Sequence, residues 1–130
     1  MERNFLAMKI HKSAEDYLEK ILMLSEHKGY VRSVDIATGL SVSKPSVSVA
    51  MKHLREDGYI AMDKDNYITL TDAGMEIARR VYDRHKTLTR CLLLLGVEEP
   101  LAREDACKLE HDISQTTFEA LKNYLASHGE

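Results

Sequence analysis

"SKPSVSVAMKHLREDGYIAMDKDNYITLTDAG", residues 43–74, is the stretch that decides the fold. Pro45 suits the first turn of a helix, where its missing N–H is no loss, and Ser43 or Lys44 stands where a cap is needed. That helix runs on through "SVSVAMKHLRED" and stops at Gly58. "YIAM" and "YITL" are then two short β-prone runs about the polar turn "DKDN", which predicts a hairpin over residues 59–70. "LTDAG" closes the hairpin, and Thr71 or Asp72 caps a long helix to about Leu95. Working back from Pro45, "SVSK" reads as a turn and a short helix spans about Ser33 to Leu40. A first helix spans about Ala14 to His27, capped by Ser13 and ended by Gly29. Tyr17, Leu18, Ile21, Leu22 and Leu24 form its apolar stripe. Three helices, the last two joined by a tight turn and followed by a hairpin, is the order of a winged helix-turn-helix.

Beyond Gly96, which stops the long helix, Pro100 opens a fifth helix from about Leu101 to Asp112. Thr116 and Glu119 have capping-box spacing for a sixth, ending near Ser127. The fold class is therefore mainly α. An N-terminal winged helix-turn-helix with a two-stranded wing occupies residues 1–72, and an all-helical domain occupies residues 73–130.

Bulk properties agree with one modest cytoplasmic protein. The 130 residues are 44% apolar and 30% charged, enough for a core and a solvated surface. The longest apolar run, "CLLLLGV" at 91–97, is far too short to cross a bilayer, and "MERNFLAMKIHK" lacks the apolar region of a secretory signal. Two cysteines make no disulfide framework. Cys91, inside the leucine run, reads as core packing, whereas Cys107 stands among polar residues. Charge is uneven. Residues 98–130 hold eight acids and three bases, so within a total of -3 the first 97 residues carry about +2, a mildly basic body before an acidic segment.

The helix after Pro45 is the candidate DNA-reading element. Ser43, Ser46 and Ser48 carry short hydroxyls that approach phosphates and base edges closely, and Pro45 opens the helix between them. Lys44 and Lys52 can contact phosphates, Val49 can meet a thymine methyl, and Lys64 stands at the wing tip. A serine-rich helix alone is usually just a solvated one; its place between a short helix and a hairpin is what points to double-stranded DNA.

"CKLEH", residues 107–111, poses the second question. On a helix, Cys107, Glu110 and His111 at i, i+3 and i+4 share one face. Asp16 and Glu19 lie at i, i+3 on the first helix, and His85 lies midway along the fourth. Each has a bland alternative: Asp16 as the N3 partner of Ser13, Glu19 as a solvated charge, His85 as a surface histidine. The set matches no common zinc spacing, and no HExxH occurs.

"SAEDYLEKILMLSEHKGYVRSVDIATGLSVSKPSVSVAMKHLREDGYI", followed in order by "LTDAG", "RHKTL" and "CKLEHDIS", resembles the metal-dependent repressors of the diphtheria toxin repressor and manganese transport regulator type. The resemblance runs from about Lys12 to the end. It implies a winged domain that binds an operator as a two-fold homodimer, and a helical domain for dimerisation and metal binding. The apolar positions Leu101, Ile113, Phe118, Leu121, Tyr124 and Leu125 agree with such an interface. The length implies the short form, without the SH3-like domain of the iron-type members.

Carried over by position, the metal ligands would be Asp16, Glu19, His85, Cys107, Glu110 and His111, for Mn(II) or Fe(II). The set is a hybrid: aspartate at 16 is similar to manganese-type members and cysteine at 107 to iron-type ones. A thiolate shifts preference toward softer, later metals. Thr89 and Arg103 stand where an iron-type ancillary site would have a glutamate and a second histidine, so one main site per chain is expected. The implied output is repression of manganese or iron uptake genes when metal is abundant. In the metal-free state Asp16, Glu19 and Glu110 would crowd negative charge between the first and fifth helices.

Three rival functions are weaker. A winged-helix regulator could instead sense a small organic ligand or thiol oxidation, with Cys107 as the switch. A metal hydrolase would need an open coordination position and a general base in a cleft, and no nucleophile motif is present. A plain architectural DNA binder leaves six ligand-type residues unexplained.

Overall fold

A computed structural model describes the backbone of residues 2–129 and the side chains of residues 12–129. Among the described residues the chain forms six helices and one two-stranded sheet, in the order α1 (Glu2–Lys28), α2 (Ser33–Leu40), α3 (Lys44–Glu56), β1 (Ile60–Met62), β2 (Ile68–Leu70), α4 (Asp72–Leu94), α5 (Glu99–Leu109) and α6 (Gln115–His128). It divides into two compact units, Met1–Arg79 and Arg80–Glu130, with the division inside α4. The mainly helical class and the two-stranded wing agree with the sequence reading. No described helix is long and apolar enough to cross a membrane.

In the first unit, α1, α2 and α3 bury Leu18, Ile21, Leu22, Ile36 and Ala37 together with Val47, Met51 and Leu54. Val47, Met51 and Leu54 are spaced i, i+4, i+7, so α3 lays one stripe on the core and turns its other faces outward. Burying each such side chain is worth about 1.5–3 kcal/mol. Ser43 caps α3, its Oγ accepting the Ser46 N–H at 3.2 Å, with Pro45 in the first turn as expected. Gly58 follows at φ +83°, a left-handed position that ends the helix with no side-chain penalty.

The wing is an antiparallel pair with Ile60 opposite Leu70 and Met62 opposite Ile68. Ile60 and Ile68 point into the core. The Asp63 carboxylate accepts the N–H of Asp65 at 2.9 Å and of Tyr67 at 3.0 Å, which closes the turn. The wing is tied to the segment before α2: Ile68 N–H donates to the Val31 carbonyl at 2.8 Å, the Arg32 guanidinium lies 4.3 Å over the Tyr67 ring, and Tyr30 meets that ring edge-on. Asp35 accepts the Arg32 N–H at 2.9 Å at the start of α2 and pairs with Lys28 at 2.6 Å. That hydrogen bond from Lys28 holds the Asp35 carboxyl below its usual range.

Three local expectations are corrected. α1 begins at Glu2, so Ser13 lies inside a helix and caps nothing, and Asp16 is no first-turn charge. "ERNFLAMKIHK" has no Gly or Pro to stop a helix propagating backward through it. α5 opens two residues earlier than Leu101 and ends at Leu109, with Glu110 as its C-cap. α6 is capped by Ser114, whose Oγ accepts the Thr117 N–H at 3.1 Å; Thr116 is one residue inside, and Glu119 accepts from Gln115 instead.

Candidate metal centre and nucleic-acid interface

Within the second unit, Ala102, Ala106 and Glu110 fall at i, i+4, i+8 and are 0%, 0% and 1% exposed. Two alanines leave room for close approach of a neighbouring backbone, and the third position of the same line is a carboxylate where a core residue belongs. α4 supplies Val81, His85 and Leu88 at i, i+4, i+7, with both aliphatics buried. The result is a cluster: one ligand atom each from His85, Cys107 and Glu110, all within 4.8 Å of one another. His85 Nδ1 is 3.5 Å from Glu110 Oε1, and neither Glu110 carboxylate oxygen has a hydrogen-bond partner among the described residues. A carboxylate in that position has lost its water and gained only the 3.5 Å contact with His85; an uncompensated buried ion costs several kcal/mol in typical proteins. A thiol, an imidazole and an orphaned carboxylate at this separation fit a divalent transition metal by donor type and by charge.

The structure thus brings together three of the six candidate ligands. His111 is half-buried in the turn one residue past Glu110 and is not in the cluster. Asp16 and Glu19 lie on α1 in the first unit, Asp16 half-buried and Glu19 5% exposed, so Glu19 is not the solvated charge of its bland reading. The Thr89 hydroxyl donates to the His85 carbonyl at 2.7 Å, and Arg103 pairs with Glu99 at 3.6 Å. Cys91 is buried as expected, and burial pushes its thiol pKa up.

Sequence reasoning missed Arg84. Its Nη1 donates to the carbonyls of Glu110 and Ile113, both at 3.1 Å, and its Nη2 to Gln115 Oε1 at 2.7 Å. Its guanidinium carbon sits 5.2 Å over the Phe118 ring. Adjacency to His85 was the available signal, but contacts to main-chain carbonyls 26 and 29 residues away leave no pattern in spacing. Phe118 is 4% exposed under this arginine, so it is core and not the interface residue expected. Leu93, Leu94 and Leu95 are exposed at 41%, 45% and 75%, as are Leu101 and Tyr124.

On the first unit, Ser43, Lys44, Pro45, Ser46, Ser48, Val49 and Lys52 are all exposed, on the faces of α3 and its cap that the buried stripe leaves open. Lys64 is exposed at the tip of the wing. Ser43 Oγ also donates to Ser46 Oγ at 2.8 Å, so that hydroxyl is partly committed to the cap.

Residues 9–67 match the family model of the iron dependent repressor N-terminal DNA binding domain, and residues 71–128 match the model of the iron dependent repressor metal binding and dimerisation domain. The chain belongs to the iron-dependent repressor family. Among curated relatives, an uncharacterised HTH-type transcriptional regulator of Methanocaldococcus jannaschii is 37% identical over 116 residues, covering 88% of this chain and 93% of that protein. The HTH-type transcriptional regulator MntR of Lysinibacillus sphaericus is 36% identical over 113 residues, covering 87% and 81%. Among solved structures, the manganese regulator SloR superposes with a TM-score of 0.77 at 32% identity, covering 87% of this chain and 53% of that one. A manganese-dependent transcriptional repressor in complex with manganese gives 0.79 at 29%, covering 87% and 52%. The chain spans about half the length of those two solved chains. The family carries the class of function with it: a metal-dependent, DNA-binding transcriptional regulator with a dimerisation domain.

Proposed function

We propose that this family member represses manganese or iron uptake genes, binding a two-fold operator as a homodimer in the cytoplasm when metal is abundant. Residues 1–72 would serve DNA and residues 73–130 dimerisation and metal. The observation that carries the reading is the His85–Cys107–Glu110 cluster with both Glu110 oxygens buried and without a hydrogen bond. A divalent cation supplies the positive charge that this carboxylate needs. Glu110 and Cys107 offer anionic donors, and His85 a neutral one. Asp16, Glu19 and His111 are proposed as further ligands on the family resemblance. Metal binding can favour the DNA-competent arrangement only as far as these residues hold metal more tightly in it.

Two features pull the metal preference in different directions. The names of the two manganese-linked solved structures point to manganese, while the Cys107 sulfur favours later ions. Anaerobic Co(II) titration of wild type and Cys107→Ser separates them. A thiolate-to-cobalt absorption band in wild type that vanishes in the variant is the expected result and tilts the sensor toward iron or a later metal. Tight binding with no such band would mean an oxygen and nitrogen site and favour manganese. Co(II) binding that depends on neither Cys107 nor Glu110 would sink the reading.

The proposed DNA face makes its own prediction. Lys44→Ala should weaken binding to all DNA sequences and lower the slope of log K against log salt by about 0.9, one phosphate contact. An unchanged slope would remove Lys44 from the interface.

The exposed thiol of Cys107 favours one second reading, a regulator switched by thiol oxidation. Loss of operator binding under peroxide, with chelator having no effect, would establish it in place of metal sensing.

A further inference from the structure

We propose that Arg84 is a positioning residue that holds the metal-binding turn in place before metal arrives. The inference rests on the His85–Cys107–Glu110 reading above. Glu110 caps α5, and the chain from there to Ser114 is a turn leading into α6. The carboxylate itself has only its 3.5 Å contact with His85 to keep it buried, since neither oxygen is hydrogen-bonded. The backbone must hold it there. One guanidinium does so at three points: the Glu110 carbonyl at the end of α5, the Ile113 carbonyl in the turn, and the Gln115 side chain at the start of α6. The Phe118 ring beneath fixes its plane. Gln115 is itself oriented, its Nε2 donating to Glu119 Oε2 at 3.1 Å.

A rigid, planar fork suits this role, with Nη1 and Nη2 reaching all three acceptors while Nε makes no hydrogen bond among the described residues; a lysine ammonium, a single point on a flexible stem, does not span acceptors spread along a turn. Arg84 also adjoins His85 on α4. One side chain therefore fixes the turn that carries Glu110 relative to the helix that carries His85. In known metal sites, loss of such outer partners costs about 10–100-fold in metal affinity.

The sign of the effect separates positioning from simple charge. A cationic guanidinium near the site repels a metal ion, so by electrostatics alone its removal would tighten binding. Positioning predicts the opposite. The test is anaerobic Co(II) titration of wild type, Arg84→Met, Arg84→Lys and Gln115→Ala, with Glu110→Ala alongside. Arg84→Met and Arg84→Lys are both expected to bind about 10–100-fold more weakly. The exposed Gln115, one of the three acceptors, should give a smaller loss of a few-fold. At saturation the variants should recover the wild-type cobalt spectrum, which a collapsed site would not. Arg84 variants that bind as well as wild type or better overturn the proposal, as does full rescue by Arg84→Lys. If the Arg84 variants do not fold, wild-type affinity in Gln115→Ala overturns it. Glu110→Ala binding as wild type would instead refute the metal cluster, so the two failures are distinguishable.

Discussion

Glu110→Ala is expected to abolish metal-dependent operator binding while leaving a metal-free protein at least as stable as the parent. Truncation removes two buried methylenes, worth about 1.6 kcal/mol at 0.8 kcal/mol each. It also removes a desolvated carboxylate with no hydrogen bond, together with its 3.5 Å contact to His85; the several kcal/mol of desolvation penalty outweighs that contact and the lost methylenes, so about 1–3 kcal/mol of net stabilisation is expected. Alanine suits the position, since it continues the line of Ala102 and Ala106. With metal the order reverses: a ligand at a thousand times its Kd stabilises the wild type by about 4 kcal/mol, and the variant gains nothing. The measurement is a pair of thermal melts, with chelator and with saturating metal, beside an operator-binding titration. The melting order of the two proteins should cross. A variant still stabilised by metal, or still metal-dependent on the operator, would remove Glu110 from the site.

Gly74→Ala is expected to destabilise the DNA-binding unit by about 1–3 kcal/mol or more, the range for forced overpacking. Helix propensity argues the other way, because Ala inside α4 should gain about 0.5–1 kcal/mol over Gly. Space decides. A Cβ at Gly74 would overlap the Tyr59 carbonyl oxygen, a backbone atom that also accepts the Thr71 N–H at 3.1 Å. Thr71 meanwhile donates to the Gly58 carbonyl at 2.7 Å and accepts the Gly74 N–H at 3.2 Å. The start of α4 is thus sewn to the base of the wing, and neither side can yield alone. Denaturant melts should show the loss, and operator affinity should fall with it. Gly39→Ala is the control: its Cβ would meet only the end of the Lys20 side chain, which can swing away. If both variants melt alike, the close approach at Gly74 carries no weight.

The order of elements was legible because its signals are local. Pro45, Gly58, the polar turn between "YIAM" and "YITL", and Gly96 each act on their own few residues, and helix, hairpin and helix boundaries follow. The errors are local too, where two signals compete. Ser13 has cap chemistry, but nothing before it stops a helix, so the helix continues. Ser114 and Thr116 are both able caps, and the hydroxyl nearer the turn took the role.

The candidate ligands were recognisable by residue type and order, since Cys107, Glu110 and His111 stand within five residues and His85 lies in a motif of known kind. The amino-acid sequence alone therefore determined the winged helix-turn-helix, the outward serine and lysine face and the identity of the metal-binding candidates. Only the tertiary structure decided which candidates of the second unit meet. Glu110 turned inward on the alanine line while His111 went into the turn beyond it, because α5 ends at Leu109 and the helical face read from spacing does not extend past its cap. Arg84 was invisible for the same reason: it acts on carbonyl oxygens that every residue possesses. Spacing marks side chains that share a helix face, and a guanidinium gripping the backbone of a distant turn has meaning only once the chain has brought that turn to it.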